Sequence, residues 1–325
     1  MKRVFLLSPF QDGQTGLYIY NAFKELGWAI AKYDYREILK KTNVEKLNEH
    51  LIETFDKLDP LPNMVLVIKG LEIGTKAIDY FKTKGVPVYC WIFDATLMGK
   101  PLPECEFYAE MMNHYDTFYT YCNNVKELKA SGYKNPKMLA EGYSEVYNGE
   151  LVLNDFIKKK FGSDIAFIGT IDNIHPERED YLERIIDEGF DIKIYGETKK
   201  EISFKMEEKH QKIVIINEYH SYVCQTSKII IGGLDSDFMV DESHSARVYR
   251  TLAAGGFYLC RHTKGIEKSF TPGIHLVTFT DKEDMIEKII YYLNNPEERE
   301  KIARAGREKV KEYTFEKRIE KEFGK

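Results

Sequence analysis

Residues 164–169, Asp-Ile-Ala-Phe-Ile-Gly, restart in mid-chain a pattern that the sequence has already used once. The first use opens with residues 3–8, Arg-Val-Phe-Leu-Leu-Ser, an apolar run typical of a strand buried on both faces, and continues into a helical pattern over 17–26. Further strands are predicted at 64–69, 86–93 and 117–121, with helices at 44–58, 75–84 and 125–131. Strands that alternate with helices indicate a parallel sheet covered by helices.

The second half repeats this organisation. After 164–169, helices are predicted at 176–188, 243–254 and 281–293, and strands at 191–195, 228–231, 257–260 and 275–279. The less regular stretch 143–161 is interpreted as a linker. The sequence therefore predicts an α/β protein with two doubly wound, Rossmann-like domains, 1–157 and 158–325, that face a central cleft. Its last helix is expected to pack back on the first domain, through Phe315 and Phe323.

Composition narrows the function classes. The 325 residues carry a formal charge of −5, and 30% charged with 13% aromatic residues is not a disordered composition. The chain as a whole lacks the excess of basic residues that is typical of nucleic-acid-binding proteins. Residues 1–160 carry equal numbers of basic and acidic residues, so DNA remains one of the possible acceptors for this half. The cysteines form no Cys-x-x-Cys pair, and the first apolar run is too short for a signal or a membrane span. A cytoplasmic protein without a membrane span is expected.

Two common nucleotide-binding motifs are missing. No Gly-x-Gly-x-x-Gly turn follows a predicted strand, and Gly99-Lys100 is followed by proline instead of the Ser or Thr of a P-loop. A dinucleotide-dependent dehydrogenase and a P-loop enzyme are therefore disfavoured.

The C-terminal third carries the motifs of a known family. Four segments in order resemble the nucleotide-sugar domain of group 1 glycosyltransferases of the GT-B fold, and most of all its CgeB-like, spore-maturation branch: residues 245–256 (Ser-Ala-Arg-Val-Tyr-Arg-Thr-Leu-Ala-Ala-Gly-Gly), 265–273, 275–283 and 292–299. Residues 166–170 and 194–196 are similar to the same branch. The first half matches this family only in its layout.

The resemblance implies a hexosyl- or pentosyltransferase that moves a sugar from a nucleoside diphosphate sugar, such as a UDP-sugar, to an acceptor hydroxyl. It implies no metal and no cofactor beyond the nucleotide sugar as co-substrate. The acceptor is left open among a saccharide, a small molecule, a protein and a modified DNA base. The alternative is a two-lobed protein that binds a small molecule or nucleotide without catalysis.

A leaving diphosphate needs backbone N–H groups at helix N-termini and guanidinium groups, because it gains negative charge as the glycosidic bond breaks. On this basis and on the resemblance, the predicted donor-binding residues are Gly13, Thr15, Gly16, Gly169, Thr170, Arg178, Tyr195, Gly196, Tyr219, His244, Ser245, Arg247 and Arg250. Arg250 stands where the family more often has glutamate, so either a phosphate contact or a solvent-facing side chain is expected there.

Two carboxylate features complete the prediction. Asp94 directly follows the predicted strand 86–93, whose carboxyl end faces the cleft, so it is the candidate catalytic residue for the acceptor hydroxyl; a helix N-cap is the alternative. Asp235-Ser-Asp237 resembles the metal-binding Asp-x-Asp of the GT-A fold, but it lies within a repeated α/β unit and is interpreted as a turn. No metal site is predicted.

Overall fold

The computed structural model describes residues 1–70, 72–93, 111–122, 124–130, 132–173, 175–234 and 244–324. The chain divides into unit 1, Met1–Glu141 with Phe315–Lys325, and unit 2, Gly142–Thr314. The sequence placed the domain boundary at 157/158. In the structure the stretch before that point already packs on unit 2, because Leu151 exchanges two hydrogen bonds with the side chain of Gln225, at 2.9 and 3.0 Å.

Unit 1 contains a six-stranded parallel sheet in the order β2-β1-β3-β4-β5-β6. Its strands are β1 (Arg3–Leu7), β2 (Ala29–Tyr33), β3 (Met64–Ile68), β4 (Val88–Ile92), β5 (Thr117–Thr120) and β6 (Pro136–Met138). Every residue of β3 is buried, as expected for a central strand of a parallel sheet with both faces covered.

Helices cover this sheet. They are α1 (Thr15–Glu25), α2 (Tyr35–Leu39), α3 (Val44–Asp56), α4 (Thr75–Thr83), α5 (Val125–Ala130) and, from the end of the chain, α15 (Phe315–Phe323). In α3 the buried residues Leu47, Leu51 and Phe55 are spaced by four, so they form one apolar stripe on the core. In α15 the buried ring of Phe315 packs near Tyr18 and Trp91.

Unit 2 contains a five-stranded parallel sheet in the order β11-β10-β9-β7-β8. Its strands are β7 (Ser163–Ile168), β8 (Ile192–Tyr195), β9 (Ser227–Gly232), β10 (Tyr258–Arg261) and β11 (Val277–Phe279). Its helices are α6 (Glu145–Asn148), α7 (Asp155–Phe161), α8 (Glu177–Asp187), α9 (Phe204–Lys209), α10 (Glu218–Thr226), α11 (Arg247–Ala253), α12 (Lys264–Glu267), α13 (Lys282–Asn294) and α14 (Pro296–Val310), followed by a 3-10 turn, Lys311–Tyr313.

The two sheets share one topology. In each, the second strand lies outside the first and the third strand lies on its other side, so the strand order reverses between β1 and β3 and again between β7 and β9. Ligands of open α/β sheets bind beyond the carboxyl ends of the strands at such a reversal. The predicted α/β architecture with two doubly wound, Rossmann-like sheets is confirmed.

A close approach of α1 to the end of β1 explains one glycine of unit 1. A methyl group built on Gly16 would lie 1.9 Å from Oγ of Ser8 and 2.3 Å from the carbonyl oxygen of Pro9. Because one of these neighbours is backbone, a rotamer change cannot make room. Only glycine fits where the helix crosses this edge of the sheet.

We therefore expect Gly16→Ala to lower the free energy of unfolding by about 1–3 kcal/mol through overpacking. Urea denaturation followed by circular dichroism measures it. Gly74→Ala is the matched control, because its new methyl group would lie no closer than 3.2 Å to any neighbouring atom, the nearest being Oδ1 of Asn48, and should cost less. Equal losses in the two variants would contradict the packing argument.

Candidate functional site

Two glycines lie against each other where β7 and β8 end. Gly169 follows β7, and Gly196, with a φ of 129°, follows β8. A methyl group built on Gly196 would lie 2.3 Å from the carbonyl oxygen of Gly169, so the two backbones are in direct contact. Nε2–H of His210 donates to the Gly196 carbonyl at 2.7 Å. Gly196 is thus required both by its backbone conformation and by the lack of space.

Two arginines reach these loops from neighbouring helices. Arg247, the first residue of α11, places its guanidinium close to Gly169, where a new methyl group would lie 2.9 Å from Nη2. Arg178, in the first turn of α8, is 4% exposed and donates a hydrogen bond to the carbonyl of Thr170. Arg178 holds the loop after β7, and Arg247 lies against its glycine. We call Gly169, Thr170, Arg178, Gly196 and Arg247 the Gly169 site.

A cavity of about 530 Å³ opens beside the Gly169 site. Its walls are formed by residues 168–170, 196–199, His210 and 212–216. The last segment, Lys-Ile-Val-Ile-Ile, contributes mainly apolar side chains, whereas Thr170 and residues 197–199 contribute polar ones. The volume lies within the range of about 300–1,000 Å³ that is usual for small-molecule sites.

Asp172 and His175 form a pair in the loop after β7 that the sequence analysis did not single out. The carboxylate accepts from the backbone N–H of His175 at 3.0 Å and from its ring Nδ1–H at 2.8 Å. Burial acts to raise the pKa of Asp172, but the hydrogen bonds from His175 and the charge of Arg178 leave it below its ordinary value. The ionised carboxylate therefore orients the imidazole in this loop. An aspartate just ahead of a helix, able to accept from a backbone N–H, was the available signal.

His220 of α10 lies within electrostatic reach of two arginines. Burial, together with the positive charges of Arg250 and Arg247, lowers the pKa of His220 from 6.5 to about 3. Its Nδ1 lies 3.5 Å from Sγ of the buried Cys224. The imidazole is neutral at neutral pH, and both guanidinium groups act on the same buried ring.

Two of the predicted tyrosines lie instead around Phe161, at the end of α7. The hydroxyl of the buried Tyr195 donates to the carbonyl of Phe161 at 3.3 Å. The ring of the exposed Tyr219 has its centroid 6.0 Å from that of Phe161. The structure thus holds these two side chains at α7 and does not bring them together with the Gly169 site.

His244 and Ser245 precede α11, which begins at Arg247, later than the predicted residue 243. Nε2 of His244 lies 2.7 Å from the hydroxyl of Tyr249, and the His244 ring is buried among aromatic side chains. Oγ of Ser245 accepts from the backbone N–H of Arg247 at 3.3 Å. Ser245 therefore supports the residue that carries the guanidinium.

The predicted loop of unit 1 is ordered around the start of α1. Gly13 has a φ of 80°, which favours glycine, and Oγ1 of Thr15 donates to Glu141 at 3.2 Å. Gly16 has the packing role described above. These residues shape a turn at the carboxyl end of β1, and their part in donor binding stays a prediction.

Three predicted carboxylates lie outside the described residues: Asp94, Asp235 and Asp237. Within the described ranges, no group of three or more His, Cys, Asp or Glu side chains is arranged to hold a metal ion. The same ranges contain no helix long and apolar enough to cross a membrane.

Residues 178–322 match the family model described as glycosyl transferase-like. The match runs from α8 into α15, and it indicates a glycosyl transferase-like domain in this part of the chain. The spore protein CgeB of Bacillus subtilis strain 168 is 21% identical to the chain over 322 residues, which cover 94% of each protein. The resemblance to the CgeB-like branch is thereby confirmed.

Solved structures agree on the fold. HepE of Anabaena, in a complex with UDP-glucose, has a TM-score of 0.72 at 7% identity with both chains fully covered. Sucrose-phosphate synthase from Thermosynechococcus elongatus has a TM-score of 0.70 at 10% identity over 97% of this chain and 95% of that one. A glycosyltransferase from Rickettsia africae has a TM-score of 0.68 at 14% identity over 99% and 97%. At these identities the structures establish the GT-B fold.

The buried histidine makes stability depend on pH. The unfolded chain protonates His220 near pH 6.5, whereas the folded chain does so only near pH 3, so the unfolded state binds more protons between these values. Stability contributed by the neutral ring is present above pH 6.5 and is lost as the pH falls. We expect a loss on the order of 1 kcal/mol for each pH unit below 6.5.

Thermal or urea unfolding of the wild type and of His220→Gln between pH 7.5 and 5 measures this term. The wild type should lose stability more steeply than the variant. His262→Gln, on a half-exposed histidine, serves as the control and should follow the wild type. Parallel curves for all three proteins would show that His220 does not titrate as described.

Proposed function

We propose that this protein transfers a sugar from a nucleoside diphosphate sugar, most simply a UDP-sugar, to an acceptor hydroxyl without a metal ion, and that unit 2 binds the donor. One observation carries the proposal: at the carboxyl ends of β7 and β8 the backbones of Gly169 and Gly196 are in contact, and the guanidinium of Arg247 lies against Gly169. Glycines next to a guanidinium leave room for a diphosphate and supply its counter-charge.

The neighbouring cavity suits the rest of the donor. Its apolar segment 212–216 offers surface to a planar base or a sugar ring, and the polar residues 197–199 can meet hydroxyl groups. HepE, a chain of the same fold, binds UDP and UDP-glucose, which supports a uridine nucleotide as the first donor to test.

The chemical role of the site is to stabilise the departing diphosphate. Its negative charge grows in the transition state, so a fixed guanidinium lowers the barrier more than it strengthens ground-state binding. Arg247 would contact the phosphate, Arg178 would hold the Thr170 loop in place, and Arg250 would add positive charge. The acceptor hydroxyl would be oriented by Asp94 of unit 1.

The first test is nucleotide binding. UDP, GDP and ADP are added separately in a thermal-shift assay, and the cognate nucleotide should raise the melting temperature with a saturable dose dependence. Arg247→Ala should reduce that shift. An equal, small response to all three nucleotides in both proteins would contradict a donor site at Gly169.

The second test is turnover. In a reaction with the matching nucleotide sugar and an acceptor panel, Arg247→Ala should lower kcat by about 100-fold or more, as loss of a transition-state donor does. Arg247→Lys should fall between this variant and the wild type, because it keeps the charge but loses the planar fork. Arg304→Ala, on an exposed arginine of α14, should leave kcat unchanged.

Unfolding free energies of the three variants should stay within about 1 kcal/mol of the wild type. Unchanged transfer in Arg247→Ala would remove this residue from the site. Saturable nucleotide binding without release of nucleoside diphosphate across the acceptor panel would favour the non-catalytic binding protein instead.

A further inference from the structure

A second cavity, of about 370 Å³, opens at the amino ends of the strands of unit 1. Its lining includes Lys2, directly before β1, and Met64 and Thr117, the first residues of β3 and β5. In open α/β sheets the reacting ligands bind at the carboxyl ends of the strands. This cavity therefore lies at the edge of the sheet that the proposed reaction does not use.

Aromatic rings make up much of its wall. The centroid of Phe323, from α15, lies 5.7 Å from that of Tyr89 and 5.5 Å from that of Tyr119, and Tyr89 and Tyr119 are 6.2 Å apart. Trp28 lines the same cavity, with its ring packed on Phe23 at 5.1 Å. The cavity thus offers flat apolar surfaces of a kind that stack on C–H groups.

Charged groups in the wall are already fixed by neighbours. The carboxylate of Glu322 accepts from the hydroxyl of Tyr119 at 2.9 Å and pairs with the ammonium group of Lys137. The ammonium group of Lys2 donates to the carbonyls of Phe323 and Gly324, at 3.3 and 2.6 Å. Polar atoms are therefore held in place around the rings and can exchange hydrogen bonds with a ligand.

This combination selects the class of ligand. An organic cation would meet the ammonium group of Lys2, and an anion would meet the carboxylate of Glu322. A purely apolar molecule would remove water from both charged groups without replacing the hydrogen bonds of that water. A neutral molecule with an apolar face and a rim of hydroxyls avoids each of these costs. We propose that the cavity binds a pyranose unit of a neutral saccharide.

Binding itself does not depend on the proposed transfer reaction. A role in the reaction rests on the proposed function. If the acceptor is a glycan, the cavity would hold one of its sugar units, at a distance from the hydroxyl that reacts. Such a contact would raise the affinity for long acceptors without altering the chemical step.

Tryptophan fluorescence tests the cavity directly. The chain has two tryptophans; Trp28 lines the cavity, whereas Trp91 is fully buried and donates to the carbonyl of Leu139. Wild-type protein is titrated with glucose, galactose, N-acetylglucosamine and their disaccharides, and separately with choline and sulfate. At least one saccharide should give a saturable change, and Trp28→Phe should abolish that change.

Two further variants separate binding from folding. Tyr89→Ala removes one ring and should weaken saccharide binding about tenfold, and Glu322→Gln should weaken it while keeping the shape of the side chain. Tyr291→Ala, which truncates a half-exposed tyrosine of unit 2, should bind as the wild type does. Circular dichroism melting confirms that each variant is folded.

The proposal is overturned if no saccharide produces a saturable change, if choline or sulfate does so instead, or if the folded Tyr89→Ala and Glu322→Gln variants bind saccharide as tightly as the wild type. UDP thermal shifts on the same proteins keep the two hypotheses apart. Saccharide binding without a UDP response would support the saccharide cavity and contradict the donor site. A UDP response without saccharide binding would support the donor site and contradict the saccharide cavity.

Discussion

The carbonyl oxygen of Gly169 lies against the α-carbon of Gly196, and no side chain fits between these two backbones. This contact sets the distance between the loops that follow β7 and β8. The missing side chain of Gly169 leaves room for the guanidinium of Arg247, which lies there beside the ring of Phe167. His210 fixes one side of the contact through the Gly196 carbonyl, and Arg178 fixes the other through Thr170. A β-carbon at Gly196 would collide with the Gly169 backbone, and one at Gly169 would collide with the ring of Phe167 and the guanidinium of Arg247.

Two guanidinium groups of unit 2 act on one buried imidazole. Burial lowers the pKa of His220 most, and the positive charges of Arg250 and Arg247 lower it further, so protonation of the ring reduces stability. Two guanidinium groups near a buried imidazole therefore lower the free energy of unfolding at acidic pH. Local arrangements that reduce stability are expected where a protein has been shaped for binding or catalysis.

The sequence predicted the central strands well because they are apolar on both faces. The strands that the sequence did not predict, β2 and β6, lie at the two opposite edges of the sheet. β2 carries the exposed Lys32 and β6 has only three residues, so neither shows a strong pattern of apolar residues. The sequence predicted that α13 begins at residue 281, whereas Asp281 is the N-cap, accepts from the backbone N–H of Asp284, and the helix begins at Lys282.

Within the candidate site, the sequence analysis named Gly169, Gly196, Arg178 and Arg247. A glycine that follows a strand and an arginine in the first turn of a helix can both be recognised from the local sequence pattern. It could not place Tyr195, since neighbouring side chains of a strand point to opposite faces and the choice of face depends on packing. It also missed His175 and His210, whose partners are a nearby carboxylate and a carbonyl brought close by folding. The contact of His210 with a backbone carbonyl 14 residues away follows no sequence spacing, whereas Asp172, just ahead of α8, was a usable signal for the pair with His175.

Unit 1 is assembled from two stretches of chain, with all of unit 2 between them. During synthesis the ribosome releases every strand of both sheets before it releases α15, whose Phe315 packs near Tyr18 and Trp91. Synthesis of unit 1 starts first, but unit 2 is the first to have all of its residues. Until α15 has been synthesised, the face of unit 1 that α15 covers is exposed and can bind chaperones.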